Sequence, residues 1–285
     1  MNMAVVMDGK ATALSVRKGL RPRIARLIEK GIEPALTVIL VGEDPASAIY
    51  VRNKEKMCAR LGIKSEVIRM DAQTTQNELC AELRRLNEDN SIHGILVQLP
   101  LPKHIDEVAV LNIVAAEKDV DCFHPVNAGK LLRGEKGFLA CTPAGVMRML
   151  EEYGVDIAGK EAVVIGRSNI VGKPLAILLL QQNATVTICH SRTRDLAEVT
   201  RRADILVAAI GKGRFVTADM VKPGAVVVDV GVNRMEDGKV AGDVDYDAVE
   251  PIASYITPVP GGVGSMTIAM LMENTVFAAE QYGKA

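Results

Sequence analysis

Tryptophan is absent from this 285-residue chain, and only 3% of its residues are aromatic. So few flat side chains argue against a base-stacking platform for single-stranded nucleic acid. Neither sign of charge is in excess. The formal net charge is -1, without the basic surplus of a nucleic-acid binder, although a local basic patch stays open. No apolar run approaches the length of a membrane span. The N-terminus, Met1 to Asp8, lacks the basic region and apolar stretch of a signal peptide. Cysteine is sparse: Cys58, Cys80, Cys122, Cys141 and Cys189 are odd in number and widely scattered. They read as reduced thiols of a cytosolic protein, not as a disulfide framework. His93, His104, His124 and His190 show no metal-ligand spacing, so no metal is expected.

What is present is apolar material in short, regularly spaced packets. Hydrophobic residues make up 48% of a length that suits two domains better than one. Helical and strand patterns alternate, which implies α/β architecture. A helix is expected from Asp8-Gly9-Lys10 to Lys30, a buried strand over 34–41, and a helix over 46–61 closed by Gly62. A strand over 64–70, a helix over 75–87 capped by Thr75, and a strand over 92–99 stopped by Pro100 and Pro102 complete three βα units. Residues 119–142 carry charge, glycine and proline without clear periodicity, and read as a connection between domains that bears site residues. Thr142-Pro143 opens a helix to Tyr153.

A second α/β series follows: strands over 161–165, 185–189, 205–209 and 225–230, and helices over 173–182, 196–202 and 268–282. Residues from about 140 to 265 therefore read as a doubly wound, Rossmann-type domain. Its phosphate-binding turn is Gly166-Arg167-Ser168-Asn169-Ile170-Val171-Gly172. Gly166 permits a sharp turn, and Gly172 lets backbone approach pyrophosphate at a helix N-terminus. The spacing meets the generic fingerprint only in part, and a glycine turn there can equally be structural. The next strand ends Cys189-His190-Ser191-Arg192, with no acid before Asp195 to hold a ribose 2′-hydroxyl. Hydroxyls and guanidiniums, Arg167 among them, suit a 2′-phosphate instead. A solvated basic loop is the plainer alternative. Turn and strand end together favour NADP over NAD.

Four candidates for chemistry lie elsewhere. Tyr50 and Lys54 are four apart, on one helical face, where a ring can stack on a heterocycle while the amine reaches its reactive atom. Gln98 is the polar residue at an apolar strand end, where α/β folds place ligands. In Asp119-Val120-Asp121-Cys122-Phe123-His124-Pro125 a carboxylate can accept two N–H bonds from an amidine-like ring edge. Asp119, Asp121 and His124 all stay ambiguous between such a role and local turn bonding. Pro258 to Gly264 is a stiff-then-open loop, either a close-approach surface for a ligand or a domain hinge.

Taken together these segments resemble the bifunctional methylenetetrahydrofolate dehydrogenase/cyclohydrolase family over nearly the whole chain. The resemblance rests on Asp8-Gly9-Lys10, YVRNKEKMC (50–58), GILVQLPLP (94–102), DVDCFHPVNAG (119–129), GRSNIVGKP (166–174) and PVPGGVGSMT (258–267). It implies NADP-dependent oxidation of 5,10-methylenetetrahydrofolate, then hydrolysis of the methenyl product to 10-formyltetrahydrofolate, in a cleft between two α/β domains. By resemblance Lys54 is the catalytic lysine, Gln98 its partner, Tyr50 the ring beside the folate and Asp121 the holder of the pterin edge. Val97, Leu99, Pro260, Gly261 and Gly262 complete the implied substrate set. Gly166, Arg167, Ser168, Ser191 and Val232 match NADP-binding positions. Residues 1–140 would form the folate domain, completed by the helix 266–285, with 141–265 binding NADP. A cytoplasmic homodimer is implied. Cys122 and Ser265 depart from the family's usual Gly and Pro.

Three alternatives remain beside this reading: a dehydrogenase without the hydrolase activity, a shikimate-type two-domain dehydrogenase, and a catalytically silent NADP-binding protein.

Overall fold

A computed structural model describes residues 3–282. The elements in chain order are β1 (Val5–Val6), α1 (Gly9–Glu29), β2 (Ala35–Val41), α2 (Pro45–Leu61), β3 (Lys64–Met70), α3 (Gln76–Glu88), β4 (Gly94–Val97), α4 (Glu107–Leu111), α5 (Pro125–Arg133) and α6 (Cys141–Glu152). The second half continues with β5 (Glu161–Ile165), α7 (Gly172–Gln181), β6 (Thr185–Cys189), α8 (Leu196–Thr200), β7 (Ile205–Ala208), β8 (Val226–Asp229), β9 (Asn233–Arg234), β10 (Val240–Ala241), α9 (Tyr246–Val249), β11 (Tyr255–Ile256) and α10 (Val263–Tyr282). The chain divides into two compact units: residues 3–15 with 140–270, and residues 16–139 with 271–282.

The unit of 16–139 is built on a three-stranded parallel sheet in the order β3-β2-β4. Its central strand, β2, is buried at every position, which explains its unbroken apolar run. Ile39, Val41, Ile95 and Val97 pack with Leu79 and Leu83 of α3. Helix α3 opens on a capping box, Thr75 with Glu78, and α2 closes on Gly62 at φ 75°.

The other unit carries a six-stranded sheet in the order β1-β11-β8-β7-β5-β6, parallel throughout. Strand order reverses between β5 and β7, the switch point where α/β sheets bind ligands beyond the carboxyl ends.

Several boundaries differ from the sequence reading. The stretch 119–142 is not wholly irregular: it contains α5. His124 caps that helix, Pro125 starts it and Gly134 ends it at φ 70°. Nine residues are too few for periodicity to show. Strand β4 spans only 94–97 of the expected 92–99. Helix α10 begins at Val263, five residues early, because its first turn needs no intrahelical N–H bonds and so tolerates Gly264. Residues 3–15 fold with 140–270, where the sequence reading puts them with 16–140. The cause is β1, which pairs in parallel with β11.

Candidate active site

In the unit of 16–139, α2 carries Tyr50 and, one turn later, Lys54. The Lys54 Nζ donates to Gln98 Oε1 at 2.9 Å. Gln98 is held in turn. Its backbone N–H donates to Ile39 O at 2.9 Å, and its Nε2 to Leu99 O at 2.6 Å. The amide is thus oriented with its oxygen toward the lysine. Tyr50 is 50% exposed, a ring face open to a ligand. Val97 differs: its side chain is 3% exposed, so it can offer a ligand backbone only. Leu99 is half-buried.

Asp121 lies on a loop fixed to the same sheet. Ile95 of β4 donates to Lys118 O at 2.8 Å, and Ile95 bridges Asp119. The buried Asp119 carboxylate accepts from Phe123 N at 3.1 Å, His124 N at 2.8 Å and Asn127 Nδ2 at 2.9 Å. Asp119 is therefore a loop organiser, and His124 a helix cap whose Nδ1 accepts from Val126 N at 3.2 Å. Lys118 is buried and donates to the carbonyls of Leu86, Asn87 and Asp89. Burial pushes its ammonium below the usual lysine range. Asn274 of α10 donates to Val120 O at 2.7 Å and Leu139 O at 2.8 Å, gripping the residue before Asp121. Cys122 sits at φ 62°, a conformation that costs a side chain roughly 1 kcal/mol. Its Sγ donates to Phe138 O at 3.2 Å, which offsets part of that cost. Neither Lys118 nor Asn274 is marked in the sequence by periodicity or motif, because each is a polar residue whose partners are distant in sequence, whereas Asn127 lies within the 119–129 motif without its role being readable there.

In the unit of 140–270, Gly166 ends β5 at φ 129°, and a Cβ there would lie 2.2 Å from Ala209 O. A Cβ on Gly172 would lie 2.2 Å from Gly166 O. Both glycines are required by close backbone approach. Ser168 Oγ accepts from Val171 N at 3.1 Å and Gly172 N at 3.3 Å, which fixes the turn before α7. Beyond the ends of β5, β6 and β7 opens a cavity of about 340 Å³. Arg167, Ser168, Ser191 and Lys212 line it, and no carboxylate does. Two cations, two hydroxyls and a glycine turn fit a pyrophosphate and a 2′-phosphate. Val232, past the end of β8, is 53% exposed.

Pro260, Gly261 and Gly262 belong to this second unit rather than to that of Lys54. A Cβ on Gly9 would lie 2.0 Å from Gly262 O, so the Asp8-Gly9-Lys10 and glycine-rich motifs pack backbone on backbone. Two acids that sequence reasoning missed stand behind the cofactor cavity. Asp229 ends β8, is 3% exposed, and accepts from Gly231 N, Asp243 N and Val244 N at 2.9–3.0 Å. Burial outweighs those bonds and pushes its carboxyl up to about 6. Asp243 is wholly buried. The available signal was an isolated acid at the end of an apolar run, Val226-Val227-Val228-Asp229, and another in Gly242-Asp243-Val244.

Among the described residues, no group of three or more His, Cys, Asp or Glu side chains could hold a metal ion. None of their helices is long and apolar enough to cross a membrane. None of the five cysteines is in a disulfide, all are buried, and burial pushes the Cys58 thiol up to about 12.

Comparison with known proteins gives a consistent result. Residues 7–121 match the model of the tetrahydrofolate dehydrogenase/cyclohydrolase catalytic domain, and 140–283 that of the NAD(P)-binding domain of the same family. The bifunctional protein FolD of Campylobacter concisus is 60% identical over 275 residues, 96% of this chain and 97% of its own. The FolD methylenetetrahydrofolate dehydrogenase/cyclohydrolase structure from Campylobacter jejuni superposes with a TM-score of 0.96 at 52% identity, covering 98% and 99% of the two chains. The Trypanosoma brucei dehydrogenase-cyclohydrolase, solved with NADP and an inhibitor, gives a TM-score of 0.95 at 42% identity and full coverage of both.

Proposed function

This chain belongs to the tetrahydrofolate dehydrogenase/cyclohydrolase family, and on that premise we propose which of its residues carry the two reactions. The enzyme oxidises 5,10-methylenetetrahydrofolate with NADP and hydrolyses the resulting 5,10-methenyltetrahydrofolate to 10-formyltetrahydrofolate. The shikimate-type alternative falls with the family match. The hydrogen bond from Lys54 Nζ to Gln98 Oε1 carries the residue assignment, because it couples an amine to an oriented amide oxygen one helical turn from the exposed Tyr50.

In the oxidation a hydride leaves the bridging carbon, and bound NADP supplies the acceptor. The cation left behind is shared by two folate nitrogens, so the step needs alignment more than proton transfer. Tyr50 stacks beside the pterin. Asp121 accepts two N–H bonds from the amidine edge of that ring. Backbone at Val97 and the Leu99 side chain add further folate contacts from the unit of Lys54. Gly166, Arg167, Ser168, Ser191 and Val232 hold the cofactor, with Arg167 on the 2′-phosphate.

In the hydrolysis water attacks the amidinium carbon and a C–N bond then breaks. The positive charge of the substrate disfavours the ammonium form of Lys54. Neutral Nζ takes one proton from the attacking water and returns it to the departing ring nitrogen. The second water proton leaves to solvent as the formyl carbonyl forms. Gln98 holds Nζ on this path.

Replacing Lys54 by Met should lower hydrolysis of the methenyl compound by about 10²-fold or more, the usual scale for losing a proton carrier, with NADPH binding unchanged. Stopped-flow absorbance of the methenyl compound checks it. Normal hydrolysis by that variant would remove Lys54 from the mechanism.

We also place the enzyme in the cytoplasm as a homodimer. Five buried thiols, none in a disulfide, suit a reducing compartment. Val5, Val6 and Ile188 give the two edge strands of the six-stranded sheet exposed apolar surface for a second copy.

A further inference from the structure

A fully buried carboxylate is tolerated only when its lone pairs are taken up by donors. Asp243 is 0% exposed and meets that condition with four of them. Its Oδ2 accepts from Ile210 N at 2.6 Å and Gly211 N at 3.0 Å, and its Oδ1 from Lys212 N at 2.8 Å and Asn233 Nδ2 at 2.9 Å. Three consecutive N–H groups thus converge on one anion, in the manner of a backbone nest.

The donors lie on two separate segments. Residues 210–212 follow β7, and Ile210 and Lys212 line the cofactor cavity. Asn233 opens β9 and is the chain neighbour of Val232. Asp243 itself has little freedom. Its N–H donates to Asp229 Oδ1 at 2.9 Å, and a Cβ on Gly231 would lie 2.1 Å from its Oδ1. No hydrophobic requirement explains a charge at this depth. What the carboxylate does is lock the wall after β7 to the loop after β8.

We infer that Asp243 is a positioning residue for NADP, which it acts on through the 210–212 wall and Asn233 without touching the cofactor. This deepens the proposed function and rests on the cofactor assignment made there. Asp243 serves the oxidation and not the hydrolysis, because Lys54, Gln98 and Asp121 belong to the other unit.

Asp243→Asn keeps the shape but turns an NH2 group toward backbone N–H donors. Losing charge-assisted bonds predicts a rise of about 10-fold or more in the Kd for NADPH, read by fluorescence titration, and in the KM for NADP. Hydrolysis of the methenyl compound without cofactor should stay within about 2-fold. Asn233→Ala removes one of the four bonds and should raise the NADPH Kd in the same direction by less. It decides the matter alone if Asp243→Asn does not fold. Unchanged NADPH affinity in the variants, or an equal loss of both activities at unchanged affinity, overturns the inference. A wild-type protein that binds no NADPH at all overturns the cofactor assignment itself.

Discussion

Arg167 is exposed, and its guanidinium and the Lys212 ammonium face a cavity wall without a carboxylate. A guanidinium on a 2′-phosphate is a charge-assisted pair that NAD cannot form. Arg167→Ala should therefore weaken NADP by roughly 10–100-fold and NAD by little. Parallel KM measurements check this, and equal losses would show that Arg167 does not read the phosphate. Asp229 makes a different prediction. Its folded-state pKa of about 6 lies above that of an aspartate in the unfolded chain. The folded state therefore holds the extra proton between about pH 4 and 6. The stability this contributes is present below about pH 4 and is lost as pH rises through 6, on the order of 3 kcal/mol in all. Urea unfolding across that window should show the decline, and Asp229→Asn should remove it. A slope that survives the substitution assigns it to another group.

At the scale of elements, α10 matters beyond its own packing. Asn274 projects from it to carbonyls at both ends of the segment bearing Asp121 and α5. Asn274→Ala removes a buried and a part-buried hydrogen bond, costing about 1–3 kcal/mol. Folate affinity should fall while NADPH affinity holds, as separate titrations would read. A variant with native folate affinity would mean that the loop holds without this tether. The same scale shows where the sequence was readable. Strand β2 announced itself because both its faces are buried, and α3 because Thr75 and Glu78 cap it locally. Helix α5 was hidden by its shortness. Strand β1, only Val5–Val6, was hidden because its pairing partner β11 lies some 250 residues away.

For the whole molecule, the order β1-β11-β8-β7-β5-β6 puts the reversal between β5 and β7, and the glycine turn, Ser191 and Lys212 come together there. The proposed homodimer belongs to this scale as well. Light scattering on the purified protein should give about twice the 30.6 kDa chain mass, and a monomer at working concentration would exclude it. By itself the sequence determined the α/β class, the glycine turn, the acid-free strand end and the lysine one turn after Tyr50, because each is a local pattern written within a few residues. Only the tertiary structure decided that Lys54 meets Gln98, that Asp119 organises a loop, and that Asp229 and Asp243 are buried carboxyls ringed by backbone donors. Those facts depend on which distant backbone donors surround a side chain, and local sequence does not encode that.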